Sequence, residues 1–377
     1  MKKKLLVFHP ALAPYRIDLF NELNEVFEAN FYFFHRNLLS QKLDVIKLEN
    51  QLNFKPKFLT FGFELHYKDR MIRFGYLQKV IQHKPDVVLC SEFNQITFLT
   101  ALFTKTIFPK TEVFSTCDDS LDVAKNSSIA RRIGRIFCLK YLDGIILSND
   151  SAEEWYRGNF QNIKTIVLPI IQKEERIISI INHAKSLSEE YSKRFNLVEK
   201  NILLFVGRLV EVKNLKFLID VFSNYVSKNK DIILILIGEG DKKLELMELV
   251  ENLKIQDNVI FAGHFENEAL YAWYRIADYS ILPSISETFG AVVNESLIAG
   301  VPVICSNLAG ASFLINEKNG KTFNPYNKEE LLSIFNEVLN KKRQSRDNLS
   351  IYDSLMPFTF NQRMLKLISF FKNNNIA

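Results

Sequence analysis

Two carboxylates, Glu287 and Glu295, stand eight residues apart in the run Pro283-Ser284-Ile285-Ser286-Glu287-Thr288-Phe289-Gly290-Ala291-Val292-Val293-Asn294-Glu295. Glu287 follows Pro283, Ser284 and Ser286, which are loop and N-cap residue types. The stretch Ala291–Ala299 reads as a buried helix stopped by Gly300 and Pro302. If the whole span were helical, the rise between the carboxylates would be about 12 Å. That is on the order of the separation between the sugar and the ribose of a nucleotide-sugar. A helix N-terminus between them would offer free backbone N–H groups to a diphosphate. One short segment thus has the residue types to hold both ends and the middle of one ligand. A pair of solvated helix charges is the plainer alternative. Glu295, however, sits among Val292, Val293, Leu297 and Ile298, where an unpaired carboxylate is costly.

Cations of the right kind lie upstream. In Leu203-Leu204-Phe205-Val206-Gly207-Arg208-Leu209-Val210-Glu211-Val212-Lys213-Asn214 a buried strand ends in Gly207, followed by Arg208 and then Lys213. Glycine lets backbone approach a phosphate closely. Arginine presents a planar fork to phosphate oxygens, and lysine a point charge. Together they make a diphosphate clamp, or else two solvated loop charges. Gly238 and Gly240 follow the next strand as a close-approaching turn. Gly263 and His264 follow another, where His264 either lines a base or phosphate site or is structural.

These residues need a framework that delivers strand ends to one place. Strands are expected at Lys4–His9, Asn30–Phe34, Asp86–Cys90, Glu112–Thr116, Gly144–Leu147 and Lys164–Leu168. A second series is expected at Asn201–Val206, Ile232–Ile237, Val259–Ala262, Tyr279–Leu282 and Val303–Cys305. Their mostly continuous apolar runs suit parallel strands covered on both faces. Helical patterns alternate with them, as at Ile17–Phe27, Leu215–Ser227, Lys242–Leu253 and Lys328–Asn340. This is βαβ repetition run through twice, broken near Pro169. The fold class is α/β: two doubly wound, Rossmann-like domains facing across a cleft. The boundaries are 1–169 with a C-terminal helix at about 357–377, and 170–356.

Composition agrees with a soluble globular chain of 377 residues, 47% hydrophobic and 24% charged. No apolar run approaches the roughly 20 residues of a membrane span. The Met1–Phe8 start ends too soon, at His9-Pro10, for a signal peptide. Cys90, Cys117, Cys138 and Cys305 form no CxxC and read as reduced, buried thiols of a cytoplasmic protein. Residues 1–170 hold 23 Lys/Arg against 18 Asp/Glu and the rest 25 of each, so the net +5 lies in the first half. That excess is too diffuse for nucleic acid, but suits an anionic membrane surface or substrate.

The ordered set Gly207-Arg208 with Lys213, Gly238-Glu239-Gly240, Gly263, Pro283-Ser284 with Glu287-Thr288-Phe289-Gly290 and Glu295, Ala299-Gly300-Val301-Pro302 and Asn319-Gly320 resembles glycosyltransferase family 4. The resemblance spans roughly Asn201–Phe323. It implies the GT-B fold, retention of anomeric configuration, and a second domain that binds a nucleotide-sugar donor. Arg208 and Lys213 would neutralise the leaving diphosphate, Glu287 would contact sugar hydroxyls, and Glu295 would accept from the ribose. Backbone N–H groups at Phe289 and Gly290, beside Thr288, would meet the sugar and phosphate. Where the family often carries an acidic residue after Ala309-Gly310, this chain has Ala311-Ser312-Phe313. No DxD triad occurs, so no metal and no cofactor are expected beyond the donor, which is a substrate. By the same resemblance the terminal helix Phe358–Phe371 returns to the first domain.

That first domain would bind the acceptor and is where the resemblance is thinnest. The usual glycine-rich loop after the first strand is replaced by His9–Arg16, leaving Tyr15 and Arg16 as acceptor or phosphate contacts. Asp118 or Asp119 could orient an acceptor hydroxyl or the donor sugar, or could cap a helix. Glu92 and Asn94 follow another strand as candidates of the same kind. Two basic stretches, Phe54–Phe74 and Ile129–Phe137, either face an anionic leaflet or bury an apolar face with their charges in water. The expected activity is metal-independent transfer of a hexosyl-like unit to a glycan or lipid-linked acceptor in polysaccharide or lipopolysaccharide assembly. It would act in the cytoplasm, peripherally on the inner membrane face. Alternatives are a sugar phosphorylase or nucleotide-sugar epimerase on the same fold, or a non-catalytic nucleotide-sugar-binding protein. A dinucleotide-dependent dehydrogenase is disfavoured, since no GxGxxG follows the first strand.

Overall fold

The computed structural model describes residues 1–36, 44–65, 70–161, 163–339 and 353–372. Tyr67, Lys68, Asn340 and the tail from Asn373 lie outside the described residues. The chain divides into two compact units, Met1–Ile170 with Phe360–Ala377, and Ile171–Thr359.

The first unit contains β1 (Lys4–His9), α1 (Ile17–Val26), β2 (Glu28–Phe33), α2 (Val45–Glu49), β3 (Lys57–Phe58), β4 (Gly62–Leu65), β5 (Arg70–Arg73), α3 (Tyr76–His83), β6 (Val87–Ser91), α4 (Gln95–Ile107), β7 (Glu112–Cys117), α5 (Leu121–Lys125), α6 (Ile129–Leu139), β8 (Gly144–Leu147), α7 (Asp150–Asn159) and β9 (Lys164–Val167). Seven strands form a sheet in the order β3-β2-β1-β6-β7-β8-β9, and every pairing in it is parallel. The antiparallel pair β4–β5 stands apart.

The second unit follows as α8 (Glu174–His183), α9 (Lys185–Arg194), β10 (Asn201–Val206), α10 (Leu215–Val226), β11 (Ile232–Ile237), α11 (Lys243–Asn252), β12 (Val259–Gly263), α12 (Asn267–Ile276), β13 (Tyr279–Leu282), α13 (Ala291–Ile298), β14 (Val303–Ser306), β15 (Gly320–Phe323) and α14 (Lys328–Val338). Its parallel sheet runs β12-β11-β10-β13-β14-β15.

The apolar runs follow from this layering. Along β11, Ile232, Leu234 and Leu236 enter one core layer with Leu218 and Phe222 of α10. Ile233, Ile235 and Ile237 enter the other layer with Ile177 and Trp273. A strand covered by helices on both faces has no solvent side, so it carries no polar alternation.

The last helix, α15 (Phe360–Lys372), belongs to the first unit. Phe371 is fully buried, with ring centroids 5.1 Å from Phe114 and 6.0 Å from Phe27. The Lys3 ammonium donates to its carbonyl oxygen at 2.9 Å. Removing this ring leaves a cavity between α15 and the sheet. Phe371→Ala is therefore expected to cost about 3–5 kcal/mol, read as a lower denaturant midpoint for the first unit.

Candidate functional site

In the second sheet the strand order reverses between β10 and β13. Connections there leave in opposite directions and open a crevice at the carboxyl ends. Gly207-Arg208 exits β10 and Pro283–Gly290 exits β13. The Gly207 N–H donates to Ile237 O at 2.9 Å, Leu209 N–H to Glu239 O at 2.9 Å, and Gly238 N–H to Gly263 O at 2.8 Å. Gly238 has φ +136°, and a Cβ there would run into the Gly207 carbonyl oxygen. Gly207, Gly238 and Gly263 therefore lie where three strand-end loops meet backbone to backbone.

The Ile285 N–H donates to Val212 O at 3.0 Å and draws the turn Glu211–Lys213 against the exit of β13. This seats the Lys213 ammonium on the Glu287 carboxylate. Both side chains are mostly enclosed, at 13% and 18% exposure. Arg208 is exposed and pairs with no carboxylate among the described residues. Thr288 is exposed, and Phe289 is buried. Gly290, in the left-handed region at φ +96°, stands at the N-cap of α13, where no side chain caps the helix. The segment from Glu287 to Gly290 is thus a loop, and helix begins at Ala291, as the sequence reads. Backbone bonds from Gly310 N–H to Glu287 O (3.0 Å) and Ala311 N–H to Phe289 O (2.7 Å) hold that loop. In the stretch Ala311-Ser312-Phe313, which here carries no acidic residue, the Phe313 ring lies against Phe289 with centroids 6.4 Å apart. His264 is exposed at the exit of β12 and pairs with Glu266 at 3.1 Å.

Glu295 is partnered within the protein. The Tyr274 hydroxyl donates to one carboxylate oxygen at 3.1 Å and the Gln172 amide to the other at 3.2 Å. Arg176 in turn donates to the Gln172 amide oxygen at 2.7 Å. Burial raises the Glu295 pKa, against the pull of these bonds. An ionised carboxylate offers about four acceptor positions, so capacity for a diol remains. Tyr274 and Gln172 went unread in the sequence, because nothing local ties residues so distant in the chain to Glu295.

The first sheet reverses between β1 and β6. At this switch point Arg16 is buried and donates to Asp118 at 2.6 and 2.8 Å through one nitrogen, while its Nε has no hydrogen-bond partner. Its guanidinium also lies 5.9 Å from the Tyr15 ring centroid. Glu92 has φ +63°, a strained conformation for a side-chain-bearing residue. One Glu92 oxygen accepts from Asp118 N–H at 3.1 Å and the other from Arg131 at 3.1 Å. Burial, helped by the charges of Asp118 and Asp119, pushes the Glu92 pKa up to about 7 despite Arg131. Glu92, Tyr15, Arg16 and Asp118 thus form one partly open cluster.

Two expectations do not survive. Asp119 is fully buried and accepts from Arg131, from Arg135 at 3.3 Å and from the Tyr156 hydroxyl at 2.8 Å. Fully enclosed among its own partners, it offers no oxygen to an acceptor or donor sugar and anchors the fold instead of reacting. Asn94 is the N-cap of α4, accepting from Thr97 N–H at 3.0 Å and donating to Ser91 O at 2.8 Å, so its polar groups are spent on the chain. The cap of α5 is Ser120, not either aspartate. Glu92, Cys117 and Asp119 bring one ligand atom each within 4.8 Å, but two guanidinium groups on Asp119 disfavour a cation there.

Two variants test this geometry. With its folded pKa above the unfolded value, Glu92 contributes stability that is present below pH about 4.5 and lost as the pH rises through about 7. Glu92→Gln stays neutral, so its unfolding free energy should lack that decline relative to the parent across the window. Gly238→Ala forces a Cβ into the neighbouring loop and should lower the melting temperature by several degrees, for a cost of roughly 1–3 kcal/mol.

Residues 188–354 match the family model for glycosyl transferases group 1. The alpha-monoglucosyldiacylglycerol synthase of Streptococcus pneumoniae is 32% identical over 196 residues, 46% of this chain and 44% of that one. An uncharacterized glycosyltransferase of Methanocaldococcus jannaschii is 31% identical over 134 residues, 35% of this chain and 34% of that one. The chain thus spans less than half the length of these curated relatives. The crystal structure of Anabaena HepE in complex with UDP superposes with a TM-score of 0.73 at 17% identity, covering 98% of this chain and 100% of that one. The fold is GT-B, and the match to the glycosyl transferases group 1 model lies within the second unit.

Proposed function

We propose that the protein is a retaining glycosyltransferase. It moves a sugar from a nucleoside-diphosphate sugar to a glycan or lipid-linked acceptor in cell-surface polysaccharide or lipopolysaccharide assembly. The observation that carries this is the Lys213–Glu287 pair at the switch point of the second sheet, with Arg208 exposed at the exit of β10 and the uncapped start of α13 following Glu287. Breaking the sugar–phosphate bond leaves a nucleoside diphosphate, whose growing negative charge needs fixed cations and oriented N–H groups. Arg208 and Lys213 supply the cations, and the start of α13 the dipoles. Glu287, which now takes up the Lys213 charge, is suited to accept from donor-sugar hydroxyls when the ammonium turns to phosphate. Glu295, oriented by Tyr274 and Gln172, accepts from the ribose.

On the acceptor side, Glu92 and Asp118 offer carboxylate oxygens at the switch point of the first sheet. Both are partly open, with side chains 33% and 30% exposed. These groups suit the hydroxyls of a sugar. The leaving phosphate assists the acceptor hydroxyl on the same face, so no protein nucleophile is assigned. HepE was solved with UDP, and the pneumococcal relative is named for a lipid product; both support a nucleotide-sugar donor and a lipid-linked acceptor. Attachment to the cytoplasmic face of a membrane follows from that acceptor class.

The test is a thermal-shift panel of UDP-, GDP-, ADP- and CMP-sugars on the parent chain and on Arg208→Ala/Lys213→Ala. A ligand at 100 times its dissociation constant adds about 2.7 kcal/mol to the unfolding free energy. Stabilisation by one nucleotide class, abolished in the double variant, is the expected result and names the base. A folded parent chain that none of them stabilises refutes the transferase reading.

A further inference from the structure

Helix α6 is built inside out. Its buried residues are Arg135 and Cys138. Its exposed face carries Ile129, Arg132, Ile133, Ile136, Phe137 and, one residue past its end, Lys140, at the i, i+3, i+4 spacing of a single stripe. Ile129 is 77% exposed, Ile136 59%, Phe137 54% and Ile133 49%. An amphipathic helix on a globular domain ordinarily turns such a stripe into the core. Here Arg131 and Arg135 are committed inward to Asp119, and the guanidinium of Arg135 lies 5.0 Å from the Trp155 ring centroid and 5.1 Å from that of Tyr156.

The neighbouring helix repeats the inversion. On α4 the buried residues are Thr97, Thr100, Ala101 and Thr104, while Ile107 is 51% exposed and Phe98 half-buried. The Phe98 and Phe137 rings meet edge to face at 5.8 Å and join the two outward faces. Neither helix contains an aspartate or glutamate, and nor does α3, which packs on α4. Arg132 and Lys140 are exposed beside the apolar stripe, whereas Lys105 on α4 is neutralised by Asp143.

We propose that the outward face of α4 and α6 docks on a bilayer containing anionic lipids, with Ile129, Ile133, Ile136 and Phe137 entering the headgroup–acyl boundary and Arg132 and Lys140 against lipid phosphates. A large apolar patch rimmed by charge marks an interaction surface. The charge pattern selects the partner. Two copies joined through this face would set Arg132 and Lys140 against their own kind, whereas an anionic leaflet complements them. Apolar side chains at the depth of the headgroup boundary need no matching surface. No described helix is long and apolar enough to cross a membrane, so attachment by this face is peripheral. The inference deepens the membrane part of the proposed function and rests on it for its purpose. Its test reads lipid binding and not sugar transfer, so either can fail alone.

The experiment is flotation of the full chain with vesicles of phosphatidylcholine, and of phosphatidylcholine mixed with phosphatidylglycerol. Parent protein should float with the mixed vesicles and lose binding as salt rises. Arg132→Gln/Lys140→Gln should weaken that binding roughly fivefold for each cation removed. Ile133→Ser/Phe137→Ser should weaken it at least tenfold, and by the same factor at high salt. Both double variants alter exposed positions, and unchanged thermal unfolding checks that they fold. Failure of the parent to bind mixed vesicles overturns the proposal, as does binding that neither variant weakens. A dimer of the parent in lipid-free solution that Ile133→Ser/Phe137→Ser dissociates assigns the face to a second copy and overturns it too.

Discussion

A parallel sheet sends every strand-to-helix connection to one edge, and this constraint decides where the chain can do chemistry. Both sheets here obey it without exception in their pairings. In each, the winding reverses once, at β1/β6 and at β10/β13. Next to a reversal the connections diverge and cannot cover the strand ends, so backbone and short side chains stay accessible there. Arg208, Glu287 and Glu92 are all within a few residues of a strand ending at such a point, and Asp118 follows β7, the next strand along. The helices and buried strands then serve to fix the relative positions of those ends.

This explains why so much was legible beforehand. Uninterrupted apolar runs such as Ile232–Ile237 can only be strands covered on both faces, and the structure returns those bounds unchanged. Gly207-Arg208 and Glu287-Thr288-Phe289-Gly290 could be placed because their residue types report backbone conformation and charge. What stayed hidden depended on partners far away in the chain. The hairpin β4–β5 lacks a distinct apolar pattern and lies inside a stretch that looked like a basic surface. Strand β15 is a short, mixed segment, Gly-Lys-Thr-Phe, recruited to the edge by β14. Helix α6 has a strong periodic pattern, yet periodicity gives no sign of which face turns inward.

That orientation is decided by one buried acid. Asp119 is fully enclosed and would be intolerably costly as a lone charge. Arg131, Arg135 and Tyr156 compensate it, Arg135 also donates to Ala124 O in α5, and the ring faces of Trp155 and Tyr156 lie beside Arg135. The same network reaches Glu92 through Arg131, so the polar floor of the first switch point and the outward apolar stripe of α6 have a common origin. An aspartate that looked like a reactive group is better understood as the peg that sets the direction of a helix.

The loops of the second unit touch through main chain: Gly207 against Gly238, Gly238 against Gly263, and Gly310 against the carbonyl of Thr288. Where backbones abut, no loop can lengthen, shorten or gain a side chain without displacing its neighbour. Descendants of this sequence therefore have little freedom to change ligand by remodelling loops. Divergence must proceed by exchanging the outward side chains on a fixed frame, at positions such as Arg208, His264 and Thr288. A rigid main-chain frame thus channels the evolutionary variation of this site into a handful of side chains.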